Sequence, residues 1–341
     1  MKKNHCLISA LLIFCSVFSF INLTAQKKTD DLNWLKNWFD AWEMTSKEIL
    51  ALPPMSAPEL LFFDDSIVIS TSDVSAPVGK PIDGPKFFGR KLPWKIMEHK
   101  GKLTLPDGQT VPLGLMSFAG PLKNGKSFFV MAAPSFWKAA GVTSAELNLD
   151  RLLTGVFLHE FAHVSQTKGF GALIDSIDGK HFFSGVEIND DMVQDYFKYD
   201  TNYIRHFKLE VSKFYEAAFS SSDQNARSLI QEGLELLVSR QQKYFTAEKE
   251  VLKELDDIFL SMEGIGQYVA VAWLIHPKGG NLPVETAVKG FRRNGKQWSQ
   301  EEGLALFLAL SKLVKPDWRK EMFSEHPTYI TDLLRKAVED K

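Results

Sequence analysis

Five residues near the middle of the chain, His159-Glu160-Phe161-Ala162-His163, have the types and spacing to hold a metal ion and activate water. On an α-helix, residues four apart lie one turn above each other, so both imidazoles leave the same face and can share one Zn2+. Glu160 follows the first histidine and can reach the attacking water without being a ligand. That is the general-base position of hydrolytic zinc sites. The surrounding segment, 150–167, reads as a helix with Leu153, Val156, Phe157 and Val164 as its core-facing stripe. The competing reading is two surface histidines on an ordinary helix, or a degenerate site that has lost its metal.

A catalytic zinc needs a third protein ligand and an open position. The longer metzincin motif would place Gly at 166 and His at 169, whereas the chain has Gln166 and Gly169, which excludes that class. The only two cysteines, Cys6 and Cys15, lie in a leader-like start, so a thiolate ligand is excluded as well. A downstream carboxylate or histidine remains. Glu263 is the best candidate: a single carboxylate in the apolar helical segment 259–274, followed by Gly264 and Gly266. Buried and unpaired it would cost several kcal/mol, so it must be protonated, paired with Lys or Arg, or bound to metal. Each glycine weakens a helix by about 1 kcal/mol relative to alanine. Close packing against another backbone, such as the motif helix, would justify that cost. The rivals are Glu187, and Glu232 with Glu235 on the helix 229–244. The last two have polar surroundings and read as a solvated face, or as carboxylates that orient a ligating imidazole.

His159-Glu160-x-x-His163 followed by Glu263-Gly-x-Gly-Gln-Tyr268 resembles the gluzincin group of zinc metallopeptidases, in which a Glu on a later helix is the third ligand. The resemblance covers two short motifs between residues 150 and 275. It implies a zincin-like α+β fold, with His159, His163 and Glu263 holding one Zn2+ and Glu160 as the general base. It also implies a Tyr or His that stabilises the oxyanion. Tyr268, His276, His326 and Tyr329 are the candidates, each with an ordinary structural or surface role as the alternative. Thermolysin-like enzymes bring their Glu much sooner after the second His, where this chain has Phe183. In zincins an edge strand beside the active-site helix pairs with extended substrate. The strand 127–133 is either that edge strand or an interior one.

Several elements must position these residues. Leu35, Trp38, Phe39, Trp42 and Ile49 recur at helical spacing until Pro53-Pro54 stops the pattern, and their stripe reads as core. From 60 to 134 the period shortens. A Gly- and Pro-rich loop covers 72–93, and two hairpins turn at Pro106-Asp107-Gly108 and Asn124-Gly125. From 150 onward nearly everything reads as helix. The expected class is α+β, with an N-terminal helix and a small antiparallel sheet followed by a mostly helical half. The expected division is 1–25 leader, 26–149 helix and β-rich region, and 150–341 zinc-binding catalytic region, the last two able to form one continuous domain. The basic loop 290–298 reads as solvated, with contact to an acidic group as the alternative.

Composition narrows the class of function. With 45% hydrophobic and 12% aromatic residues the chain is globular, and 40 basic against 42 acidic side chains leave no electrostatic footprint for nucleic acid. Lys2 and Lys3, the apolar run 6–21 and Thr24-Ala25 read as a secretory signal peptide cut near Ala25. That run falls short of the roughly 20 residues needed to span a bilayer. The expected mature chain has 341 − 25 = 316 residues, a charge of 38 − 42 = −4 and no cysteine, so it would fold in the periplasm or outside the cell without disulfides. No other stretch is expected to span a membrane, and nothing indicates oligomerisation. The expected function is an exported zinc metallopeptidase acting on peptides or proteins. The alternatives are a zinc hydrolase of another amide or ester, and a catalytically silent binding protein on the same scaffold.

Overall fold

The aromatic stripe near the N-terminus forms helix α1 (Asn33–Met44), continued by a π-helical turn to Ile49. Trp38 stacks on Phe157, with 5.2 Å between ring centroids, and Trp42 meets Phe161 edge-on at 5.0 Å. The stripe is therefore core, placed against the helix that carries the metal motif. The computed structural model describes residues 32–180 and 188–339. The expected leader, both cysteines and Glu187 lie outside the described residues.

Among the described residues eight strands follow: β1 (Glu59–Phe63), β2 (Ile67–Ser70), β3 (Lys80–Pro81), β4 (Lys95–Glu98), β5 (Lys102–Thr104), β6 (Thr110–Pro112), β7 (Ser117–Pro121) and β8 (Ser127–Ala132). Both expected hairpins form, with Gly108 and Gly125 at φ of 91° and 75° in the turns, a region that glycine enters without steric cost. The main sheet has the order β3-β4-β2-β1-β8-β7, and β5 and β6 pair separately. It is mixed, not antiparallel as expected, because β1 and β8 run parallel from Glu59↔Phe128 to Phe63↔Ala132. The strands and loops between residues 63 and 127 supply the long connection a parallel pair needs. β8 is an interior strand, paired on both sides, and β7 forms the edge. Met116 O accepts from Ala132 N, so alternation turns the N–H and C=O groups of Ser117 and Ala119 toward the open edge.

The rest is helical: α2 (Pro134–Ala139), α3 (Leu149–Gln166), α4 (Phe170–Lys180), α5 (Met192–Phe197), α6 (Thr201–Ala218), α7 (Asp223–Tyr244), α8 (Leu252–Ile275), α9 (Val284–Phe291), α10 (Trp298–Leu313) and α11 (Ile330–Glu339). The protein is thus α+β, with a small sheet on its N-terminal side and a helical C-terminal half. Asn148 caps α3 by accepting from Arg151 N at 2.9 Å. α3 is buried nearly all round, between α1 and the sheet on one side and α8 on the other. By length and composition Ala247–Ile275 could cross a bilayer, contrary to the expectation of no such stretch. However, 83% of its apolar window is buried inside the fold, which makes it a core helix.

A second buried polar cluster ties the helical half together. Arg240 of α7 forms a two-pronged pair with Glu210 of α6 at 2.8 and 2.9 Å, and reaches Asp256 of α8 at 3.1 Å and Glu302 of α10 at 3.2 Å. One guanidinium thus serves three buried carboxylates. Burial, with Glu210 close by, pushes the Glu302 carboxyl well above the usual carboxylate range.

Candidate metal centre

Helix α3 presents His159 and His163 on the face turned toward α8, where Glu263 meets them. His159 Nε2 and His163 Nε2 are 3.3 Å apart. Glu263 Oε2 is 3.2 Å from His159 Nε2, and its Oε1 is 3.4 Å from His163 Nε2. These three residues form a group whose donor atoms all lie close enough to hold a single metal ion. The spacing can be tested against coordination geometry. Bonds of about 2.0–2.1 Å at tetrahedral angles put neighbouring donors about 3.3–3.4 Å apart. Each separation is near that spacing, the two contacts to Glu263 being made by its two different oxygens, so the residues present fit a metal ion.

Two glycines make the approach possible. A Cβ at Gly266 would lie 2.8 Å from His159 Nδ1 and 2.9 Å from Cε1, so only glycine leaves room for the imidazole on α8. A Cβ at Gly264 would lie 2.7 Å from Gly303 Cα, and one at Gly303 would lie 2.5 Å from Gly264 Cα. The backbones of α8 and α10 therefore touch at this crossing. The expectation that the glycines serve close packing against the motif helix is met by Gly266, whereas Gly264 serves a different helix. The crossing brings the first turn of α10 to Glu263, where Gln300 Nε2 donates to Oε2 at 3.1 Å.

The electrostatics follow from burial and from mutual charge. His159, Glu160, His163 and Glu263 are 0–3% exposed. Burial depresses His159 to about 4, against the pull of Glu263. Burial also opposes charging His163, but the Glu263 carboxylate outweighs it and raises this imidazole to about 9. Glu263 is held below the usual carboxylate range because its burial is outweighed by charged His163 and by hydrogen bonds from both imidazoles. Burial raises Glu160 well above the usual range, and the Glu263 and Asp190 carboxylates add to it. His159 Nδ1, Glu160 Oε2 and Gln166 Nε2 are buried with no hydrogen-bond partner. Each such atom costs about 1–3 kcal/mol, so three in one place mark a cluster kept for something other than stability.

The expected acids do not orient the imidazoles. His163 Nδ1 instead pairs with Gln166 Oε1 at 2.8 Å, which fixes the N–H there and leaves Nε2 as the donor atom facing Glu263. Glu232 and Glu235 are exposed on the solvent face of α7, and Glu232 pairs with Lys213 at 2.7 Å. Among the described residues, none of the four oxyanion candidates is hydrogen-bonded to the triad. The Tyr268 hydroxyl accepts from Arg319 and packs against Trp318, and His276 sits half-buried near Glu48. His326 is exposed, and Tyr329 stands near Asp257 and Glu254, raised to about 12 by partial burial and those carboxylates.

Residues that sequence reasoning passed over complete the surroundings. Gln267 and Gln300 are buried, and Arg293 Nε donates to Gln300 Oε1 at 2.6 Å. The loop 290–298 is not simply solvated: Arg292 meets the acidic group Glu301, as the alternative reading allows, and Arg293 reaches the polar shell of the triad. The basic run was a visible signal, but its partners belong to α8 and α10. A groove of about 760 Å³ lies elsewhere, lined by Trp34, Ile67, Ile82 and Ile96 among others, and contains none of the triad. Comparison with known proteins finds no matching family model, no matching curated protein and no matching solved structure. The chemistry must therefore be argued from this chain's own side chains.

Proposed function

We propose that the chain is a gluzincin-like, zinc-dependent hydrolase of peptide bonds, exported behind the leader-like start of its sequence. The observation that carries this reading is the donor set: three protein residues grouped closely enough to hold one ion, next to a buried Glu160 whose Oε2 has no partner. Three ligands, with a carboxylate left over, is the pattern of a site that keeps one position for water. Two imidazoles and a carboxylate suit Zn2+, although the same donors also accept other divalent ions. When bound, the ion would supply Lewis acidity, lowering the pKa of a water molecule and polarising the carbonyl to be attacked.

The chain's own residues do the rest. Glu160 takes the proton of the attacking water and later hands it to the leaving amine as the C–N bond breaks. The raised affinity of its carboxylate for a proton, caused by burial, suits it to that role. Gln166 holds the His163 ring in one tautomer, and Gly266 gives the His159 ring its place. The outward N–H and C=O groups of Ser117 and Ala119 on β7 support pairing with an extended peptide.

A second reading has a specific observation in its favour. The triad is almost completely buried, and structural zinc sites are closed. A catalytically silent protein holding a metal would show that burial too. Metal content and peptide digestion of three proteins separate the readings. The wild type should carry one zinc and cut a peptide library. Glu160→Gln should keep the zinc and lose cleavage, and His163→Ala should lose both. Full cleavage by Glu160→Gln would refute the mechanism, while zinc without cleavage in the wild type would favour the silent reading.

A further inference from the structure

Gln300 stands between the triad and the loop after α9, and its amide can present either of two faces to Glu263. With its nitrogen there it donates to Oε2, as observed at 3.1 Å. Turned around, its oxygen would meet a carboxylate oxygen at the same distance, and two acceptors would face each other with no proton between them. What fixes the orientation is the other end of the amide. Arg293 Nε lies 2.6 Å from Gln300 Oε1, and Gln267 Nε2 lies 2.5 Å from it, so both lone pairs of that oxygen are engaged. The Gln267 amide nitrogen is itself crowded by the guanidinium, and turning that amide would let its oxygen accept from Arg293 Nε and Nη2 at 2.9 and 3.2 Å. That turn would also set the Gln267 oxygen 2.5 Å from Gln300 Oε1, two acceptors face to face, whereas turning Gln300 to relieve them would aim its nitrogen at Arg293 Nε and its oxygen at the Glu263 carboxylate, so Gln300 keeps its oxygen toward Arg293. A guanidinium carries no acceptor, so it can only select the oxygen end of the amide.

We infer that Arg293 is a positioning residue of the metal centre, acting through Gln300, whose amide it locks so that an N–H meets the Glu263 ligand. This rests on the metal-binding reading above, and it adds a relay Arg293→Gln300→Glu263 that joins α10 and its preceding loop to the ion. The loop does not need the Arg293 side chain to keep its place. The backbone N–H groups of Arg293 and Asn294 both donate to Glu301 Oε2 at 2.9 Å, and Arg292 Nε donates to Oε1 at 2.9 Å. Removing the Arg293 side chain therefore frees the Gln300 amide while leaving the loop anchored.

The test is a double-mutant cycle on metal affinity, using the full mature chain, zinc titrated in competition with a chromophoric chelator, and Co2+ spectra as a second readout. Gln300→Leu and Arg293→Met should each weaken zinc binding by about 10–100-fold, the usual effect of losing a partner that orients a ligand. Each should also alter the cobalt visible bands, which report the geometry of the donor atoms. The double variant should bind no more weakly than Gln300→Leu alone, because Arg293 acts only through that amide. Melting of the metal-free proteins confirms that each variant is folded at the titration temperature. Wild-type affinity and an unchanged cobalt spectrum in Arg293→Met would overturn the inference, as would losses that add in the double variant. A wild-type chain that takes up neither ion would overturn the metal-centre reading itself, an outcome distinct from both.

Discussion

Replacing Gly266 by alanine tests whether the metal centre depends on how closely α8 approaches α3. The new Cβ would lie 2.8 Å from His159 Nδ1, where ordinary contact begins at 3.4 Å, so the ring or the helix must yield by about 3.4 − 2.8 = 0.6 Å. The imidazole sits on a rotatable stem and moves more easily than the buried helix. Metal sites tolerate deviations of about 0.2 Å, so a shift of this size takes His159 Nε2 out of the spacing it shares with His163 and Glu263. Zinc affinity should fall by one to two orders of magnitude, equivalent to about 1.4–2.7 kcal/mol. The metal-free fold should change little, because alanine favours the helix by up to about 1 kcal/mol and offsets part of the crowding. Gly264→Ala is the control. Its Cβ would strike the backbone of Gly303 at 2.7 Å, which cannot rotate away, so it should lower the stability of the metal-free fold by about 1–3 kcal/mol. Competition titration with a chromophoric chelator measures the first effect and thermal melting of the metal-free protein the second. Wild-type zinc affinity in Gly266→Ala, or a melting loss as large as that of Gly264→Ala, would refute the reasoning.

Two further predictions concern stability. Burial and the neighbouring Asp256 raise Asp257 to about 6, above its ordinary value of 3.8. The folded state therefore holds this proton more tightly than the unfolded chain. Its contribution favours folding below pH 3.8, declines as pH rises toward 6 and is a full penalty above that. Asp257→Asn, which keeps an oxygen for Gln241 and Thr331, should raise the melting temperature at pH 7.5 by an amount equivalent to at most about 3 kcal/mol, with the gain vanishing near pH 4. A gain independent of pH would disprove this assignment. Arg240→Met should destabilise the fold by about 3–5 kcal/mol in denaturant titrations at neutral pH, since Glu210, Asp256 and Glu302 would lose their common partner. A loss under 1 kcal/mol would mean that these carboxylates are already neutral.

Much of the candidate site was legible because it is local. The pitch of an α-helix alone puts His159 and His163 on one face, and the apolar setting of Glu263 requires a partner wherever the helix packs. Strand direction was not legible, since alternation in 59–63 and 127–132 is the same whether the two run parallel or antiparallel. The long connection between them permits the parallel pairing that the structure shows. Nor was the edge legible: β7 and β8 form one hairpin, and only the docking of β1 on β8 leaves β7 outermost. The basic loop read as solvent-facing because its partners are dispersed. Glu301 is eight residues from Arg293, whereas Gln300, which receives that side chain, matters only because α10 crosses α8.

By itself the sequence determined the two imidazoles, the general-base candidate beside them and the ligand chemistry left to a chain whose cysteines lie in its first 15 residues. Helical spacing and side-chain type are local properties, written in consecutive residues. Tertiary structure decided which carboxylate completes the triad and which arginine orders Gln300. Those choices depend on the contacts of Gly264 with Gly303 and of Gly266 with His159. A glycine in a sequence states only that a side chain is missing, and the packed fold determines what comes to occupy the space.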